Sequence, residues 1–152
     1  MQVYRLAKAK YIRDLSGIGA RLAGGRWNVK GTAVLYTAPN RALATVEDLV
    51  HVPIAFIPKN LRMATLEVPD AAPKTVVSIE KLPPNWNHYP PPPELATIGT
   101  DWIIGNSHLL LVVPSAVVPG EHSVLINTSH PDMKHVKILD VEVYQFDKRL
   151  LQ

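Results

Sequence analysis

Apolar and polar residues alternate with a period of two in several short stretches of this chain, and with a period of three to four in one. Residues 2–6 read as a short strand. Residues 33–38, Ala-Val-Leu-Tyr-Thr-Ala, form a second strand pattern bounded by Gly31 and Pro39. Asn40 is placed to cap a helix predicted to run to about His51. On that helix Leu43, Val46 and Val50 have the spacing of a buried face, and Pro53 ends it. Residues 61–68 alternate as a strand. Leu109 to Val113 is an unbroken apolar run closed by Pro114, which predicts a central strand covered on both faces. Residues 123–127 form another strand. Residues 136–146 are β-rich, but their alternation slips near Leu139, which predicts a bulge. The sum is an α+β fold, a single domain over residues 1–152 built around one mixed sheet.

The segments between these patterns are shaped by glycine and proline. Residues 10–32 hold five of the eight glycines without a sustained period, and read as a structured loop with a short helix. Residues 81–94 carry Pro83, Pro84 and the run Pro90 to Pro93, so they must be largely extended. Trp86 and Tyr89 argue that this stretch packs on the domain instead of serving as a linker. Trp102 to Ile104 end a short helix or begin a turn. The 14 prolines argue against a helical bundle.

Composition narrows the chemistry. With 47% apolar and 19% charged residues the chain is not disordered, and 152 residues suffice to bury a core without staples. Cysteine is absent, which excludes disulfides, thiolate metal sites and a Cys nucleophile. No apolar run approaches the roughly 18 residues of a membrane span. The start, Met1 to Arg5, reads as strand and not as a signal peptide, so the expectation is a cytoplasmic protein. A net charge of +3 is too small to argue for nucleic acid, and fits an anionic small ligand or an acidic partner.

Three places break the pattern of a plain core. Gly24-Gly25-Arg26-Trp27-Asn28, with Arg21 before it and Lys30 after it, is either a tight turn with solvated cations or a backbone approach to a ligand with guanidinium groups for phosphate. It matches neither a Walker loop nor a dinucleotide fingerprint. Glu47 shares the helix face of Leu43 and Val50, where a carboxylate must find a partner or carry a heavy desolvation cost. It is an arginine-paired edge residue or a catalytic acid in a pocket. Ser115 ends the apolar strand, as a turn cap or as an active hydroxyl. The Gly-x-Ser-x-Gly elbow of a serine hydrolase is missing. The six histidines show no metal-ligand spacing.

These residues together carry a family pattern. Gly19 through Asn28 followed by Gly31, then Val34 to Ala38, Ala42-Leu43-Ala44 with Glu47, Leu111 through Pro119, Leu125-Ile126-Asn127, His130-Pro131-Asp132 and the terminal Phe146-Asp147 with Arg149-Leu150 resemble the RES domain family over nearly the whole chain. Thr128 stands where the family often has proline.

The resemblance implies a fold like that of ADP-ribosyltransferases, around a mixed, mostly antiparallel sheet. It implies a toxin of a bacterial type II toxin–antitoxin pair that degrades NAD+ by hydrolysis or phosphorolysis. The named Arg, Glu and Ser of the family match Arg26, Glu47 and Ser115; Arg5 and Arg21 also lie in family-like contexts. Tyr36, Arg21, Asn28 and His51 are implied substrate-binding residues. NAD+ enters as substrate, inorganic phosphate as an optional co-substrate, and no resident cofactor or metal is expected. The implied partner is an Xre-type antitoxin that meets the DNA in the toxin's place; a homo-oligomer is left open. Two alternatives are transfer of ADP-ribose to a protein, and a non-catalytic module binding NAD+-like ligands or nucleic acid.

Overall fold

A computed structural model describes residues 1–152. Its seven strands are β1 (Gln2–Lys8), β2 (Leu35–Thr37), β3 (Leu61–Glu67), β4 (Lys74–Val76), β5 (Leu110–Pro114), β6 (His122–Ile126) and β7 (Lys137–Tyr144). The helices are α1 (Ile18–Ala23), α2 (Arg41–Leu49) and α3 (Pro93–Gly105). The sheet expected as one is divided in two, in the orders β1-β3-β7 and β2-β6-β5-β4. An isolated bridge from Tyr4 to Ala38 joins them. All pairings are antiparallel except β4 with β5.

That parallel pair follows from its connection. A chain leaving β4 can enter β5 in the same direction only through a crossover, and α3 supplies it. Neither β4 nor the full length of α3 stands out in the sequence, since three residues make no period. The proline run ends where α3 begins: Pro93 occupies the first helical turn, where a missing N–H costs nothing. Asn106, in the left-handed region at φ 55°, closes the helix.

The chain packs around three apolar clusters. The even-numbered residues of β3, Ala64 and Leu66, join Val3, Leu110, Val124 and Ile126 between the two sheets. Its odd-numbered residues, Leu61 and Met63, join Leu6, Leu43, Ala44 and Phe146 under α2. The opposite face of β5 and β6, with Leu111, Val113 and Leu125, is covered by Trp27, Leu95 and Trp102. The central strand β5 is therefore covered on both faces, as its sequence demands.

Two details follow the sequence closely. The Asn40 side chain accepts from the Leu43 N–H at 2.8 Å and caps α2. The β3–β7 ladder skips Leu139, pairing Thr65 with Asp140 and Leu66 with Ile138. Two expectations are corrected. Val50 is 54% exposed, because α2 ends at Leu49 and the chain turns away from the core. Tyr89 is 80% exposed: the proline-rich stretch packs through Trp86 and Leu82 and leaves Tyr89 outside.

Candidate active site

The helix α2 is seated by Leu43 and Ala44 against β1 and β3, so its last turn carries Glu47 toward the second sheet. There the half-buried Glu47 carboxylate meets Ser115. The Ser115 hydroxyl donates to Glu47 Oε1 at 2.6 Å. In turn the N–H groups of Val117 and Val118 donate to Ser115 Oγ at 3.1 and 2.9 Å. The turn after β5 is thus wrapped on the hydroxyl of Ser115, a residue that is 4% exposed. A second hydroxyl approaches the same oxygen: Ser123 Oγ on β6 lies 3.4 Å from Glu47 Oε1.

Arg26 reaches this place from the glycine-rich loop. Its Nη1 donates to the carbonyls of Trp86 and His88 at 2.8 and 2.9 Å. Burial holds the guanidinium pKa below its ordinary value, and the nearby Glu47, Tyr36 and Tyr89 oppose that shift. The acid and the cation therefore share one electrostatic neighbourhood.

Tyr36 builds the loop that carries Arg26. Its hydroxyl donates to Asn28 Oδ1 at 2.8 Å and accepts from the Trp27 N–H at 3.1 Å. Burial pushes its pKa up to about 12. Asn28 is buried, and its amide group donates to the carbonyls of Ala20 and Thr32 at 2.8 and 3.0 Å. Both polar ends of Asn28 are thus engaged within the chain. A cleft of about 190 Å³ opens beside Tyr36, lined also by Arg5, Leu6, Gly17, Ala20 and Leu35.

The structure brings together Glu47, Ser115, Arg26 and Tyr36 of the residues picked from sequence. Arg21 is exposed on α1, and its side chain makes no hydrogen bond or ion pair. His51 is exposed and acts electrostatically on Asp48, whose carboxyl burial pushes up. Arg5 is spent on the loop after β1, donating to the carbonyls of Tyr11, Ile12 and Asp14. Sequence reasoning missed Ser123 and the Trp86 and His88 carbonyls. A serine alternating with Leu125 on a strand face is the only local signal for the first. Backbone carbonyls leave no signal at all. No three His, Asp or Glu side chains are grouped to hold a metal, and no helix is long and apolar enough to cross a membrane.

A family model described as the RES domain matches residues 2–147. The chain belongs to the RES domain family. This RES chain is 39% identical over 141 residues to the Prs ADP-ribosylating toxin of Sphingobium sp. (strain YBL2), covering 91% of this chain and 88% of that one. It is 33% identical to proteins named Toxin Res from Yersinia enterocolitica and Photorhabdus laumondii, over 99% and 100% of its length and 99% and 98% of theirs. In fold it is similar to the crystal structure of the Mycobacterium tuberculosis MbcT–MbcA toxin–antitoxin complex, with a TM-score of 0.74 and 18% identity over 99% of this chain and 86% of that one.

Proposed function

We propose that this RES chain is the toxin of a toxin–antitoxin pair and cleaves the nicotinamide–ribose bond of NAD+. The observation that carries this reading is one half-buried carboxylate, Glu47, held by the Ser115 hydroxyl within the field of Arg26. In the reaction the electron pair of the C1′–N bond leaves with nicotinamide, which departs neutral. Positive charge then spreads over C1′ and the ring oxygen of the ribose, as in glycoside cleavage. A neutral leaving group needs little acid. The site must instead fix a negative charge beside the sugar and hold both ends of the dinucleotide.

Each residue has a part in that task. Ser115 occupies Glu47 Oε1, which leaves Oε2 for the ribose. Arg26 spends Nη1 on two carbonyls and keeps its remaining N–H groups for the pyrophosphate or an incoming phosphate. Tyr36 has its hydroxyl tied down, so its ring face is what it can offer to the nicotinamide. Asn28 holds the Arg26 loop in shape through its bonds to Tyr36, Ala20 and Thr32. His51 is exposed just past α2, where its backbone N–H donates to the Asp48 carbonyl at 3.1 Å. NAD+ is the substrate, and no resident cofactor takes part. The acceptor attacks C1′ and loses a proton: water yields ADP-ribose, and phosphate yields its 1-phosphate.

The test is nicotinamide release from NAD+ by the pure chain, with and without phosphate. Glu47→Gln should lower the rate by about 10²–10³-fold while the melting temperature stays near that of the unsubstituted chain. Equal rates for the two would refute the role of Glu47. A second reading has the name of the Sphingobium relative in its favour: ADP-ribose passes to a protein. Labelled NAD+ leaving label on a protein band, with little free ADP-ribose, selects that reading. The partner proposed is an antitoxin of the Xre class, and the co-purified pair should turn over NAD+ only once the antitoxin is stripped away.

A further inference from the structure

Resting on the reading of this site as one that holds ribose, we propose that Ser123 is the hydroxyl that touches the sugar, while Ser115 serves only to position Glu47. A serine hydroxyl has one proton to give and two lone pairs to offer. Ser115 has used all three: its proton goes to Glu47 Oε1, and its lone pairs accept from Val117 and Val118. At 4% exposure it has neither capacity nor access left for a ligand.

Ser123 is in the opposite condition. It sits on β6 directly across from Val113 of β5 and shares its strand face with Leu125. It is half-buried, and the only hydrogen bond of its hydroxyl is the one to Glu47 Oε1. At 3.4 Å that bond is long beside the usual 2.7–2.8 Å for hydroxyl donors. A loosely held hydroxyl beside a carboxylate makes a two-point reader for a vicinal diol. The carboxylate accepts from one sugar hydroxyl, and Ser123 bonds the same oxygen or its neighbour. The ligand class is a ribosyl group with free 2′ and 3′ hydroxyls, so Ser123 helps the site tell ribose from deoxyribose.

The experiment compares kcat/KM for NAD+ and for two analogues whose nicotinamide ribose lacks the 2′- or the 3′-hydroxyl. Taking ratios between variants cancels the intrinsic lability of the analogues. For at least one analogue, Ser123→Ala should shrink the discrimination shown by the unsubstituted chain by about 3- to 10-fold, the worth of one hydrogen bond. Ser123→Thr should restore it. Ser115→Ala should lower kcat yet leave the discrimination as it was. If Ser123→Ala melts early, Ser123→Cys, similar in shape but a weak hydrogen-bond former, replaces it. Unchanged discrimination against both analogues in the Ser123 variants overturns the proposal alone. No nicotinamide release by the unsubstituted chain overturns it together with the NAD+ reading on which it rests.

Discussion

Tyr36 shows how a single side chain can serve a site through structure before it touches a ligand. Its hydroxyl is the common partner of the Trp27 N–H and Asn28 Oδ1, the two groups that flank the Arg26 turn. Replacing it with phenylalanine leaves both without that partner. Tyr36→Phe should therefore cost about 1–3 kcal/mol and raise KM for NAD+ as the Arg26 loop loosens. The same residue sets an alkaline limit. An unfolded tyrosine ionises near pH 10, whereas burial delays Tyr36 to about 12. The unfolded chain thus loses its proton first. The contribution of Tyr36 is complete below about pH 10 and is lost as pH rises through 12, by roughly 2–3 kcal/mol at 1.36 kcal/mol per pKa unit. Urea melts between pH 8 and 12 check this: the phenylalanine variant should start less stable and lose less over the alkaline range.

Helix α3 and the Arg26 loop are pressed together at one glycine. A Cβ on Gly99 would stand 1.7 Å from the Trp27 carbonyl oxygen, a backbone atom that has no room to retreat. Gly99→Ala should cost about 3 kcal/mol or more by overpacking and should impair NAD+ turnover in whatever protein remains folded, since Trp27 adjoins Arg26. A methyl group added at Gly105, on the same helix, would have nothing within 4 Å, so Gly105→Ala should be neutral or slightly stabilising. Thermal melts of the two variants give the comparison. At this scale the sequence was legible wherever an element announced itself. Asn40 capped its helix, Leu139 broke its ladder, and the run from Leu109 marked the covered strand. β4 and the first turns of α3 were not legible. A three-residue strand carries no period, and a helix opened by prolines and apolar on most sides looks like loop and core at once.

Across the whole molecule, the site is assembled at the seam between two sheets. Glu47 comes from a helix seated on β1 and β3, while Ser115, Ser123 and Arg26 belong to the second sheet and its covering loop. Anything that shifts the seat of α2 must therefore move the acid relative to the hydroxyls. Phe146, near the chain end, lies in that seat and meets the Tyr144 ring edge-on at 5.4 Å. Phe146→Ala should cost about 3–5 kcal/mol in urea unfolding and lower kcat more than it raises KM, although it lies outside the site. Local pattern along the chain was enough to say which strands would be buried, where α2 begins, and which three residue types stood out: an acid on an apolar face, a hydroxyl closing a strand, an arginine among glycines. Those are short-range properties, written in period and propensity. It took the folded molecule to pair the acid with Ser115, to bring Ser123 to the same oxygen, and to hold Arg26 by two carbonyls some sixty positions away. Such pairings depend on how two sheets pack, and packing is settled by the sum of many weak contacts that no local pattern records.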